Sequence, residues 1–349
     1  MAKSLIHPAV PALIGLDWGS STLRAYLFAG DGSILHLRSA PLGVLNVPDR
    51  NFAAALAQTV GDWRTAHGGL PLIVSGMIGS TIGWREVPYL ACPAGLDTLV
   101  QGLRDQQRSA HADGLLIVPG LRTAGQGPAG AAPDVMRGEE TQIFGALARH
   151  PEFARGCRLI LPGTHCKWVA IADGRIASFQ TYMTGELFAV LRDHSILGRP
   201  AQAATIHTGD TAGPRDIAGA AFEHGVRAAC SSQTAELAPL LFSVRTRVLM
   251  GEVTPADSLD YMSGLLIGNE VRSALAGPPT TASPPMALIG DAAICALYQR
   301  ALALVGHPGV AVLDAAASSG LWHLAVASGF VAGRSAPVGL TVSHKDPRP

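Results

Sequence analysis

The stretch Ala12 to Phe28 reads A-L-I-G-L-D-W-G-S-S-T-L-R-A-Y-L-F, and Leu159 to Ile171 reads L-I-L-P-G-T-H-C-K-W-V-A-I. Each is an apolar run, a glycine with hydroxyl-bearing neighbours and a second apolar run, a pattern that predicts strand, tight turn and strand. Such a turn can aim an acid like Asp17 at a metal, while Gly19 lets backbone N–H groups close on a phosphate. In isolation, two apolar strands joined by a solvated turn would look much the same. The repetition decides. Asp31-Gly32 closes the first copy and Asp173-Gly174 the second, with Ile34 and Ile176 following at the same offset. From Asp31 to Gly43 and from Asp173 to Gly185 the spacing is the same twelve residues. One α/β domain plan is therefore expected twice, each copy opening with a phosphate-type hairpin.

Length agrees with duplication, because 349 residues exceed what one core usually supports. The expected domains are 1–155 and 156–349. Apolar residues make up 48% and charged residues 15%, with a formal net charge of zero, which suits packed globular domains and argues against a general nucleic-acid binder. Residues 1–11 show no long apolar core, so neither a signal peptide nor a membrane anchor is expected, and the cytoplasm is the expected location. The five cysteines are odd in number and form no C-x-x-C pair, so neither a disulfide framework nor a structural zinc site is indicated.

Working outward, Asp49 is expected to cap a helix over residues 52–67 that Gly68-Gly69 stops. A short buried strand at 71–74 runs into S-G-M-I-G-S-T-I-G-W-R-E-V-P-Y (75–89). This resembles a substrate pocket, because glycines bring backbone close while Trp84 offers a stacking face and Arg85 an anion fork. A further strand is expected at 115–119 and a glycine- and proline-rich loop at 123–133. Then comes D-V-M-R-G-E-E-T-Q-I-F-G-A-L (134–147), read as a helix capped by Asp134. On it Glu139 and Glu140 point about 100° apart, so at most one can face a cleft squarely. Both would also suit the positive end of a helix. Residues 181–191 read as strand, turn and helix, and 199–260 as largely helical, with Arg227, Arg245 and Arg247 as solvated charges. Residues 278–285 form a linker. A strand at 287–289, a Gly290-Asp291 turn, a helix at 292–304, a strand at 310–313 and a small-residue helix at 315–327 complete the chain, before a frayed tail.

With both hairpins and the glutamate helix in view, the chain resembles the acetate kinase, sugar kinase, heat-shock and actin superfamily, and more narrowly the 2-dehydro-3-deoxygalactonokinases. The stretches that carry this are I-G-L-D-W-G-S-S-T-L-R-A (14–25), the loop at 75–89, D-V-M-R-G-E-E-T-Q (134–142), L-P-G-T-H-C-K-W (161–168) and M-T-G-E-L-F (183–188). The resemblance implies two similar ribonuclease H-like domains of the actin/hexokinase type with ATP between them. It implies that Asp17 holds Mg2+ through water and that Gly19, Ser20, Ser21 and Thr22 touch the β- and γ-phosphates. Gly163 and Thr164 would form the second phosphate loop with Lys167 nearby, and Gly290 would lie beneath the adenosine. Glu139 occupies the place where related sugar kinases carry an acid, as G-D-Q-Q before a helix, that takes the proton of the attacking hydroxyl. Because the motif here has two glutamates, Glu140 stays open as the base. The substrate it implies is an acidic keto-deoxy sugar approached by Gly79, Ser80 and Trp84. Its carboxylate needs a cation, with Arg85 the first choice and Arg24 and Arg137 the alternatives.

These residues fit in-line phosphoryl transfer, and the resemblance implies that it runs from ATP to the 6-hydroxyl of 2-dehydro-3-deoxy-D-galactonate. The competing readings are a phosphatase or ATP hydrolase on the same scaffold, a kinase of another sugar, and a non-catalytic ATP-gated interaction protein or sugar-responsive repressor. A shaped acceptor loop argues against the hydrolase, and a missing basic extension before Ala12 against a repressor. A thiol nucleophile at His165-Cys166 lacks an orienting third group. Oligomeric state is left open, with a homodimer among the possibilities.

Overall fold

The computed structural model describes residues 10–109, 114–124, 132–202, 219–231, 236–276, 284–314 and 316–332. The 123–133 loop, the 278–285 linker, part of the 199–260 region and the terminal tail lie wholly or partly outside the described residues.

Two five-stranded sheets share one plan. In the first, β1 (Pro11–Trp18), β2 (Leu23–Ala29), β3 (Ile34–Ala40), β4 (Leu72–Ser75) and β6 (Leu115–Ile117) take the order β3-β2-β1-β4-β6. The first three strands pair antiparallel, and β1, β4 and β6 run parallel. In the second, β9 (Gly156–Leu161), β10 (Cys166–Ala172), β11 (Arg175–Tyr182), β12 (Met286–Ile289) and β13 (Ala311–Leu313) take the matching order β11-β10-β9-β12-β13. Again β9, β12 and β13 are parallel. The duplication expected from the hairpins is thus a duplication of sheet topology. β5 (Leu90–Ala91), β7 (Leu121–Thr123) and β8 (Asp134–Met136) form a separate small sheet.

Strand β1 is central, and its apolar run is buried on both faces, as a strand covered from both sides requires. Side chains alternate across it. Ile14, Leu16 and Trp18 share a core with α1 (Phe52–Ala66), whose Phe52, Ala55, Leu56, Thr59, Val60 and Trp63 make one helical stripe. On the opposite face, Gly15 leaves room for Phe28 and for Leu321 of α9 (Ala316–Ala327). Against α9 lies α3 (Glu139–Arg149), and their backbones nearly touch. A Cβ added to Gly145 would fall 1.9 Å from the Ala316 carbonyl oxygen, and one on Gly320 would fall 1.9 Å from that of Thr141. Asp17 has the parity of Gly15, so the strand turns it toward the side that α3 and α9 cover.

The second unit carries α4 (Thr184–His194), α5 (Ala220–Cys230), α6 (Leu237–Leu249), α7 (Ser258–Leu275) and α8 (Ala292–Leu304). Its core holds a buried carboxylate, Glu270, which accepts from the Trp168 indole and the Tyr298 hydroxyl, both at 2.7 Å.

Several expectations are corrected. The chain divides into the described residues of Met1–Gly156, Ile171–Ser178 and Ala315–Pro349, and those of Cys157–Ala170 and Phe179–Asp314. The split near 155 is close, but 156–349 is not one unit, because α9 packs on α3 and β1. The cap of α1 is Asn51, whose side chain accepts from the Ala54 N–H; Asp49 sits in a tight turn with φ 50°. Asp134 does not cap α3, since 134–136 is strand, and α3 begins at Glu139 after Gly138 at φ 108°. Helix α2 (Leu96–Arg108) was not anticipated. Arg247 is not simply solvated: its Nε donates to the Tyr261 hydroxyl at 3.0 Å.

Candidate active site

The first hairpin turn, Gly19 to Thr22, is closed by the Gly19 N–H donating to the Thr22 carbonyl at 3.0 Å. It is clasped from outside by residues 42–46. The N–H groups of Gly43, Val44 and Leu45 donate to the carbonyls of Ser21, Gly19 and Ser20, while the Trp18 indole donates to the Leu42 carbonyl at 2.7 Å. Gly43 is required for this approach, because a Cβ there would lie 2.2 Å from the Ser21 carbonyl carbon. The turn's carbonyls are thereby consumed inward.

Asp17 stands at the end of β1, paired in register with Arg24 of β2 and with Ser75 of β4. Its carboxylate meets the Arg24 guanidinium at 3.5 Å. Burial pushes its pKa up, the Arg24 charge opposes that, and the Glu139 charge adds to it. Electrostatics therefore couples the hairpin acid to the first residue of α3. The two glutamates part as helix geometry demands. Glu139 is half-buried, with Oε2 accepting from the Arg137 N–H at 3.0 Å. Glu140 is fully buried, with both carboxyl oxygens on the Gly138 N–H at 2.9 and 2.7 Å. Burial first, and the Glu139 charge second, push Glu140 up to about 8.

The loop after β4 differs from the expectation in detail. Gly79 and Ser80 are buried, and the Ser80 hydroxyl donates to the Met77 carbonyl at 2.7 Å. Trp84 stacks on Phe52, with ring centroids 6.3 Å apart, as part of the α1 core rather than as a bare face. Arg85 turns its guanidinium away as a brace: Nη2 donates to the Leu115 carbonyl of β6 at 2.7 Å and lies 3.4 Å from Gln106 of α2. Arg137 is buried over the Tyr89 ring and donates to the Val87 carbonyl at 2.6 Å. Among the three candidate arginines, the Arg24 side chain is the most exposed, at 55%.

In the second unit, the loop carrying Gly163 and Thr164 is clasped as the first hairpin is. A Cβ on Gly185 would lie 2.3 Å from the Gly163 carbonyl oxygen, and the Glu186 N–H donates to the Thr164 carbonyl at 3.0 Å. Gly290 follows β12, the parallel neighbour of β9, so its Cα comes up against this loop. A Cβ on it would stand 3.5 Å from the Pro162 carbonyl oxygen. Asp291 then caps α8, accepting from the Ala293 N–H at 2.9 Å. Lys167 is buried in β10. Neighbouring Cys166 is fully buried with its thiol pKa pushed well up by burial, and His165 pairs with Glu186, so these two form no nucleophile and base.

Sequence reading missed the backbone stack under the site. Gly76 has φ 97°, and a Cβ on it would lie 2.6 Å from the Trp18 carbonyl oxygen; a Cβ on Gly138 would lie 3.2 Å from the Gly76 Cα. The glycines were visible, but not that they pile the ends of β1 and β4 and the start of α3 on one another.

A family model described as 2-keto-3-deoxy-galactonokinase matches residues 17–324. The chain is 33% identical over 313 residues to the 2-dehydro-3-deoxygalactonokinase of Escherichia coli (strain K12), covering 89% of this chain and 97% of that one. It is 35% identical over 293 residues to a protein of Rhizobium meliloti (strain 1021) named as a probable 2-dehydro-3-deoxygalactonokinase, covering 82% and 87%. A crystal structure of a Sinorhizobium meliloti protein described as a putative 2-dehydro-3-deoxygalactonokinase superimposes with a TM-score of 0.78 at 33% identity, covering 90% of this chain and 98% of that one. The architecture is that of the actin/hexokinase-type ATPases, with two ribonuclease H-like units.

Proposed function

The chain belongs to the 2-keto-3-deoxy-galactonokinase family of sugar-acid kinases, and from that premise we propose that it moves the γ-phosphoryl group of ATP to the 6-hydroxyl of 2-dehydro-3-deoxy-D-galactonate. The observation that carries this reading is the family match across both hairpins and the glutamate helix, residues 17–324. The acceptor oxygen bonds to the γ-phosphorus as the bond to the ADP oxygen breaks, and the acceptor proton passes to Glu139. Little covalent work falls to the protein, so positioning and charge neutralisation carry the rate. Gly19, Ser20, Ser21 and Thr22 in the first unit, and Gly163, Thr164 and Lys167 in the second, receive the phosphates, and Gly290 lies beneath the adenosine.

Asp17 is the residue to hold Mg2+, through water. A single carboxylate suits Mg2+, which otherwise keeps water and phosphate oxygens, and a nearby cation would relieve the burial that pushes Asp17 up. When bound, Mg2+ neutralises and polarises the phosphates. Glu139 supports the role of base better than Glu140, because it is half-buried and coupled to Asp17 whereas Glu140 is sealed. Arg24 takes the substrate carboxylate in place of Arg85, whose guanidinium braces β6. Gly79, Ser80 and Trp84 shape the acceptor loop. We place the reaction in the cytoplasm, where ATP meets a catabolic sugar acid. Among the described residues no helix is long and apolar enough to cross a membrane.

Phosphorus NMR of the product tests the proposal. A phosphate monoester coupled to the two C6 protons is expected, and inorganic phosphate as sole product would replace the kinase with a hydrolase.

A further inference from the structure

We propose that Glu140 is a positioning residue for phosphoryl transfer, which holds the peptide from which Glu139 acts; the proposal rests on Glu139 being the base. Glu140 is 0% exposed, yet its two oxygens converge on one backbone donor, the Gly138 N–H, with the Thr141 hydroxyl 3.3 Å from Oε1. That peptide is the hinge of the site. Gly138, at φ 108°, rests on Gly76, and Gly76, at φ 97°, rests on the Trp18 carbonyl next to Asp17. Glu140 thus fastens the stack that joins the end of β1 to the start of α3. On the other side of the peptide, the Arg137 N–H donates to Glu139 Oε2 at 3.0 Å. Successive backbone donors therefore hold successive carboxyl groups, one sealed and one facing out.

A wholly buried carboxyl is a poor choice for stability, because a well-packed apolar side chain of similar volume usually serves as well or better. Its retention here matches a need for a hydrogen-bond acceptor. Gln supplies an acceptor at the same reach; Met fills the space without one.

The test uses the full chain and steady-state kinetics for ATP and the acid sugar. Glu140→Ala and Glu140→Met are expected to lower kcat on the order of 10–100-fold with both KM values within about threefold, since a displacement near 1 Å can cost about 10²-fold. Glu140→Gln should recover most of that loss. Melting curves check folding, and if Glu140→Ala does not fold, the Met and Gln variants carry the comparison. Wild-type kcat in Glu140→Met, equal losses in Met and Gln, or a loss confined to KM would each overturn the proposal. Glu139→Gln is assayed beside them. If it keeps its turnover, the assignment of the base fails, whatever the Glu140 variants do.

Discussion

A helix turns about 100° per residue, and at the start of α3 that rotation separates two identical side chains into different chemistry. Glu139→Gln should lower kcat by about 10²–10⁴ while leaving the melting temperature nearly unchanged; turnover near the wild type would move the proton acceptor elsewhere. Glu140 makes a prediction about stability. Its carboxyl binds a proton more tightly folded than unfolded, up to about 8. Between the ordinary carboxylate range and that value the native state therefore carries the additional proton, and stability falls as pH rises through the window, then levels off. The stability of Glu140→Gln relative to wild type, from urea midpoints, should be greater at pH 8 than at pH 5. An equal difference at both would show that the proton is not held. Arg85→Ala should cost about 1–3 kcal/mol of stability through loss of the guanidinium's hydrogen bond to the Leu115 carbonyl, with little change in KM for the acid sugar. Arg85 and Trp84 have contacts that the sequence did not convey, since a cation and an aromatic in a glycine-rich loop also serve the fold beneath it. That Glu139 and Glu140 diverge was legible from helix geometry; which of them is sealed depends on tertiary packing that the local pattern does not carry.

At the scale of elements, the clasped hairpin is the repeated unit. Gly43 and Gly185, marked by their equal distance from an Asp-Gly turn, each lie where a Cβ would strike the backbone of a hairpin turn, at 2.2 and 2.3 Å. Substituting either with Ala should destabilise by about 1–3 kcal/mol and raise KM for ATP, because the loop must shift to admit the methyl group. Gly163 has nothing within 4 Å of an added Cβ, so Gly163→Ala should leave the denaturation midpoint unchanged and show its effect in ATP binding. Equal destabilisation by Gly163→Ala and Gly185→Ala would contradict the clasp. Strands with continuous apolar runs, and helices with clear stripes such as α1 and α8, were legible along the sequence. The short strands β5, β7 and β8 were not, because two or three residues carry no periodicity, and a strand at 134–136 ahead of Gly138 was read as a helical first turn.

At the scale of the molecule, duplication predicts two units, and the sheets deliver them in matching strand order. What local sequence could not convey is that the last described helix belongs to the first unit. Gly145 and Gly320 allow α3 and α9 to approach until their backbones nearly touch, and that contact seats α3. Removing residues 315–349 should leave the amides of α3 exchanging with solvent far faster while those of α7 stay protected; unchanged exchange in α3 would mean the helix stands without α9. The reaction itself is tested most directly by ADP release from Mg-ATP with 2-dehydro-3-deoxy-D-galactonate, its gluconate epimer, neutral hexoses, or no acceptor. Strong stimulation by the galactonate compound is the expected result. Equal release without any acceptor, or stimulation by a neutral hexose instead, would contradict a kinase built to recognise an acid sugar.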